Sequence, residues 1–323
     1  MEVYDKVKHE NTIWTPSNAN GRFSGDSIPL KSAFARSINS IAVRLGQEMG
    51  IKNVINTAHQ MGITNELDDA PSLALGSSDV RLLDMVNSYC TVANNGKHVL
   101  PSLVTKIVDR EGKVVYQENI EEQQAIPYKS AFFMQQLLMG GMREPGGTSQ
   151  SLWGYVGNAK DTDFGGKTGT TNNHSDAWFM CVSPKLVAGS WVGGEYRCIH
   201  FRTGALGQGS RTALPVCGYF MQSVMNDPNF SRYHGHFDKP KDSDISYGMY
   251  NCSSYVAVKK DTTQADSTAV IMEDEVFLDE NGNIIQGQES QHKASKAEDA
   301  KPQSEAEPKN SKPKSHNMSL DDF

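Results

Sequence analysis

The chain has 323 residues, with 31 Lys and Arg against 38 Asp and Glu, for a net charge of -7. That balance argues against a nucleic-acid binder, which would carry a basic stripe. No run of ~18 apolar residues is present to span a bilayer. Counting Gly in place of Tyr, about 42% of the residues are apolar, below the ~45–50% of an average domain, so part of the chain adds little to a core. Met1 to Asn11 is charged and lacks the apolar segment of a signal peptide. The five Cys show no C-x-x-C and no matching His spacing, so neither a disulfide framework nor a zinc site is expected, and no metal or cofactor is implied.

Apolar residues recur at helical spacing from Leu30 through Ala33, Phe34, Ile38, Ile41, Ala42 and Leu45 to Met49, predicting one helix that stops at Gly50. A second helix runs from Ile51 to Met61. Ser78-Asp79 reads as a cap opening a third, through Leu82 to Val92 and ending near Asn95-Gly96. Val104 to Tyr116 reads as a hairpin turning at Arg110 to Gly112, and Ala131 to Met142 as a helix. From Phe164 the character is β, with strands at Gly166–Thr171, Ala177–Val182 and Leu186–Val192 joined by Asn172–Ser175 and Ser183–Lys185. The middle strand is apolar without alternation, as expected of one covered on both faces. Arg211 to Met225 returns to helical spacing. Val276 to Ile285 fits a weak hairpin or the start of a tail. Gln286 to Phe323 holds six Lys, seven Asp or Glu and three Pro, with no Trp, Tyr, Cys, Val or Ile, a composition expected to stay disordered.

Gly165-Gly166-Lys167-Thr168-Gly169-Thr170-Thr171 gathers a cation, three hydroxyls and exposed N–H groups on one extended segment. That suits an anion lying along the backbone. K-T-G arises by chance in roughly one chain in fifteen of this length, so a Gly-rich strand end with a solvated Lys is the competing reading. A phosphate-binding P-loop is excluded, because position 161 is Asp where the motif needs Gly, and β-rich sequence follows where it needs a helix. Ser37-Ile38-Asn39 places a hydroxyl inside an apolar helical stripe. A bond back to a carbonyl one turn earlier would satisfy it, and local sequence favours that reading. His234-Gly235-His236 reads as a solvated loop. His174, Ser175 and Asp176 are neighbours on a turn and make a triad only on paper. Trp153, Tyr155, Trp178 and Trp191 read as core.

In combination, several segments in order resemble the transpeptidase domain of class A penicillin-binding proteins. They are residues 34–45 (FARSINSIAVRL), 73–80 (LALGSSDV), 163–171 (DFGGKTGTT), 176–179 (DAWF), 191–194 (WVGG) and 203–215 (TGALGQGSRTALP). Two of the family's signatures, S-x-N and K-T-G, are present. The third, the nucleophilic S-x-x-K, does not stand before Ser37; Ser27 has a Lys at four, and the matches at Ser290–Lys293 and Ser311–Lys314 fall in the tail.

The resemblance implies an incomplete penicillin-binding, β-lactamase-like α/β fold of the α+β type. It would have a helical first half, antiparallel strands around K-T-G, a C-terminal helix and a disordered tail. Residues 1–238 would form a truncated transpeptidase domain, 239–285 an uncertain extension and 286–323 the tail. The family's first strands and its glycosyltransferase domain are not matched, so Leu186–Val192 would become an exposed apolar edge. The implied activity is acyl transfer from D-Ala-D-Ala stem peptides in cell-wall cross-linking, with this chain inactive alone. Two other readings stay open. One is a non-catalytic stem-peptide-binding envelope module, or half of a split enzyme. The other is a hydrolase using Ser37 or Ser175.

By resemblance, Ser37 would relay a proton to the leaving amine, Asn39 would hold the substrate amide, and Lys167 would supply positive potential. Thr168, Thr170 and Thr171 would bind the substrate carboxylate, Thr170 N–H would donate to the oxyanion, and Gly169 would let substrate lie close. Stem peptides, β-lactams and a separate N-terminal half are the implied partners. The cell envelope, on the periplasmic side of the inner membrane, is the implied location.

Overall fold

The computed structural model describes residues 2–5, 10–23, 28–241 and 245–251, with side chains from residue 14 onward. The weak hairpin at 276–285, the tail, Cys252, Ser27 and both tail S-x-x-K matches lie outside the described residues.

The first described elements are an antiparallel pair, β1 (Glu2–Asp5) and β2 (Glu10–Ile13), which no pattern in the residues anticipates. The predicted helix from Leu30 to Met49 is in fact two helices, α1 (Leu30–Ala35) and α2 (Asn39–Met49). The break has a specific geometry. Ser37 sits at φ +55°, its N–H reaches Phe34 O at 3.0 Å, and the Ile38 N–H reaches Ala33 O at 3.1 Å. This paired bonding, with one left-handed residue between, is a Schellman cap. Ile38, Ala33 and Ile41 pack together over it. Apolar spacing runs straight through the break because the same small cluster is built from both helices.

Next come α3 (Ile51–Gln60), a short turn of helix at Pro71–Leu75, and α4 (Leu82–Ala93). Ser78-Asp79 does not cap α4. Arg81 holds the N-cap position, while Ser78 donates to Asp68 and Asp79 pairs with Arg197. A pair not anticipated, β3 (Lys97–Val99) with β6 (Glu122–Gln124), encloses the expected hairpin of β4 (Lys106–Val108) and β5 (Val114–Gln117). Then follow α5 (Tyr128–Arg143) and α6 (Trp153–Val156).

The central sheet has the order β7-β8-β9, antiparallel throughout: β7 (Gly165–Thr170), β8 (Asp176–Val182) and β9 (Val187–Gly193). The chain continues through α7 (Gly204–Gly207) to α8 (Ala213–Asn226). On one sheet face Ala177, Phe179 and Cys181 pack with Leu214, Cys217 and Met221 of α8 and Val156 of α6. On the other, Val182 packs with Val92 of α4 and Leu138 and Met139 of α5. The middle strand is therefore covered on both faces, as its unalternating sequence requires. Among the described residues no strand pairs with the outer side of β9.

Two loops depart from expectation. His234 and His236 are not merely solvated: their Nδ1 atoms lie 3.2 Å from Asp161 and 3.3 Å from Asp163, and Arg143 also reaches Asp163 at 3.0 Å. These pairs fasten the segment after α8 to the residues leading into β7. Trp153 and Trp191 are 38% and 41% exposed rather than core. Each is held by its indole N–H, to Met142 O and to an Asp176 carboxylate oxygen, both at 3.0 Å, because an aromatic with a polar tip can sit at the rim of a core.

Candidate active site

The Schellman cap aims the Ser37 side chain off the helix axis and toward β7. Across 130 residues of sequence, Lys167 Nζ donates to Ser37 Oγ at 2.7 Å. The back-bond to a carbonyl one turn earlier is not what satisfies this hydroxyl. Lys167 also donates to the Thr168 carbonyl at 2.9 Å, and its ammonium lies 6.0 Å from the centre of the Phe34 ring. The solvated-Lys reading of K-T-G therefore fails. Burial pushes the ammonium pKa down from 10.5 to about 8, since removing water penalises the charged form.

Around this pair the strand is densely engaged. Thr168 Oγ1 donates to Thr148 Oγ1 at 2.8 Å. Thr170 Oγ1 accepts from the Gly209 N–H at 3.0 Å, which leaves its own hydroxyl proton free to be donated outward. The loop carrying Gly209 lies hard against the sheet: a Cβ there would come within 2.5 Å of both Gly169 O and Trp178 O. Gly169 faces Trp178 across the strands, and a Cβ on it would approach the Trp178 Cβ to 3.1 Å.

Two expected residues are turned elsewhere. Thr171 Oγ1 accepts from the Asp176 N–H at 2.9 Å and meets Ser175 Oγ at 3.1 Å, inside the β7–β8 turn. Asn39, the first residue of α2, donates to the Ser17 carbonyl at 2.8 Å. Among the described residues no hydrogen bond joins it to Ser37 or Lys167. Ser175 is buried, its one hydroxyl proton facing two acceptors, Asn173 Oδ1 at 2.9 Å and Asp176 Oδ2 at 2.8 Å, while among the described residues the buried Nδ1 of His174 has no partner. No Ser–His pair is formed there, so the turn is not a hydrolase triad. Thr148 was invisible in the sequence. It stands in Gly146-Gly147-Thr148, which carries no recognisable pattern, and only the fold brings it to β7.

The sequence profile of the family described as penicillin binding protein transpeptidase domain matches residues 2–187. Penicillin-binding protein 2D of Bacillus subtilis is 34% identical over 193 residues, covering 59% of this chain and 28% of that protein. Penicillin-binding protein 1B of Haemophilus influenzae is 34% identical over 195 residues, covering 60% and 24%. The crystal structure of penicillin-binding protein 1A from Haemophilus influenzae superposes with a TM-score of 0.62 at 23% identity, covering 71% of this chain and 38% of that one. Penicillin-binding protein PonA1 from Mycobacterium tuberculosis gives 0.56 at 21%, covering 75% and 64%. At these identities the structures establish the shared fold. The chain belongs to the penicillin-binding protein transpeptidase domain family, and its relatives place it with the class A members. It spans 28% and 24% of the lengths of the two relatives named.

Proposed function

We propose that this chain is part of a peptidoglycan D,D-transpeptidase and supplies the wall of the site that holds the D-Ala-D-Ala terminus. The observation that carries this reading is the 2.7 Å bond from Lys167 to Ser37, which joins the S-x-N and K-T-G signatures into one centre. In the reaction, an acyl group passes from the stem peptide to a serine, D-Ala leaves, and an amine on a neighbouring strand takes the acyl group. Lys167 supplies positive potential, and Ser37 relays a proton between Lys167 and the leaving amine. Thr168 and Thr170 donate hydroxyls to the terminal carboxylate, and the Thr170 N–H is an oxyanion donor. Asn39 holds the substrate amide once its bond to Ser17 is exchanged, and Gly169 keeps the strand open. Thr171 shapes the adjoining turn. The location proposed is the cell envelope, on the periplasmic side of the inner membrane, with stem peptides and β-lactams as ligands.

No S-x-x-K stands between Met1 and Ser37, so these 323 residues taken alone are proposed to bind without acylating. Among the described residues the outer side of β9 has no strand partner, which favours a second reading: a stem-peptide-binding module or one half of a split enzyme, completed by a separate N-terminal half. Incubating the purified chain with a fluorescent penicillin and running a denaturing gel tests the first point. The expected result is no retained label, and a stoichiometric band that survives denaturation would overturn it. Reversible binding of an acylated D-Ala-D-Ala peptide, abolished in Lys167→Ala, is expected; equal binding by both chains would remove the anion-holding role.

A further inference from the structure

Thr148 touches both signature elements. Its N–H donates to Ala35 O at 3.0 Å, at the last residue of α1 and two before Ser37. Its hydroxyl accepts from Thr168 on β7 at 2.8 Å. The loop that delivers it has little freedom. Gly146 is at φ +75°, and a Cβ on Gly147 would lie 2.3 Å from Gly141 O. Ser149, next in sequence, is fully buried with its N–H on Gly141 O at 3.1 Å.

The direction of the Thr168–Thr148 bond has a chemical consequence. A hydroxyl has one proton and two lone pairs. Without ligand the Thr168 proton points at Thr148 and is unavailable to an anion. A carboxylate offers only acceptors, so to bind it Thr168 must turn its proton outward. Thr148 can then rotate its own proton toward the Thr168 lone pair that now faces it. The bond reverses, Thr168 stays satisfied, and its outward proton is polarised into a better donor. A ligand ending in a carboxamide has no such requirement. Its NH2 can donate to Thr168 while Thr168 continues to donate to Thr148.

We propose that Thr148 is a positioning residue for carboxylate recognition, acting through Thr168 by reversal of this hydroxyl pair, and that it sets the preference for an ionised C-terminus over an amide. The inference rests on the carboxylate-holding role of the K-T-G strand proposed above.

The test is calorimetric titration of the chain with an acylated D-Ala-D-Ala peptide as the free acid and as the C-terminal amide. Wild type, Thr148→Val and Thr148→Ser are compared. Valine keeps the backbone bond to Ala35 and removes the hydroxyl; if it does not fold, Thr148→Ala is read the same way. Since the pair is bonded both with and without ligand, what Thr148→Val removes on acid binding is the donor that satisfies and polarises the outward-turned Thr168. This predicts an acid affinity lowered about three- to tenfold, amide affinity within about twofold of wild type, and recovery of acid preference in Thr148→Ser. Acid and amide affinities falling together would assign Thr148 a purely structural role through Ala35 and overturn the proposal. So would an unchanged acid affinity in Thr148→Val. A wild-type chain with no preference for the acid fails one step earlier, because it removes the carboxylate-holding reading itself.

Discussion

At the scale of single residues, the site is dominated by one cation held against its preference. Lys167 is ringed by Phe34, Ser37 and its own strand, and burial brings its pKa down to about 8. The protonated form attracts a carboxylate, so affinity for an acid-terminated peptide falls as pH rises through about 8. We expect about a tenfold loss between pH 7 and 9.5, the span over which such a group surrenders most of its charge. A Lys167→Met chain would bind weakly at both values. An affinity unchanged across that window would show that the ammonium titrates near its ordinary 10.5. Stability moves in the opposite sense. Between about 8 and 10.5 the unfolded chain holds the proton that the folded chain has released, so wild type gains stability with pH relative to Lys167→Met.

At the scale of elements, the break between α1 and α2 is the decisive local event. A left-handed residue at this position of the cap is usually Gly, and a side chain there costs ~1–2 kcal/mol. Here the left-handed residue is Ser, and its hydroxyl is the partner of Lys167. Replacing Ser37 by Gly and by Ala separates these terms, since both lose the hydroxyl and only Gly relieves the backbone. Urea denaturation is expected to find Ser37→Gly more stable than Ser37→Ala by about 1 kcal/mol. Equal midpoints would mean that the left-handed conformation carries no strain. The sequence could not show this break, because Ala33, Ile38 and Ile41 keep helical spacing while serving two helices. The β7–β8–β9 meander was legible, since Pro, Asn and Ser turns bound each strand and the middle one is uniformly apolar. Thr148 was not, because its relevance depends on Gly146 and Gly147 steering it to strand β7.

At the scale of the whole molecule, the sheet is sandwiched by α8 on one face and α4 and α5 on the other, yet among the described residues it ends on β9. An edge strand with unpaired backbone groups and an apolar sequence is a template for another strand. The chain is expected to self-associate with rising concentration in sedimentation velocity, and a single monomer boundary over a hundredfold range would count against an available edge. The sequence by itself determined the family, the element types, the anion-suited strand and the absence of an S-x-x-K before Ser37, because these are written in local order and spacing. The tertiary structure decided which polar groups meet. Ser37 and Lys167 are 130 residues apart, and Thr148 is 20 from Thr168. Asn39 and Thr171 are tied to other partners. Hydrogen bonds depend on where folded backbones deliver side chains to within about 3 Å, and linear spacing carries no such information across separate elements.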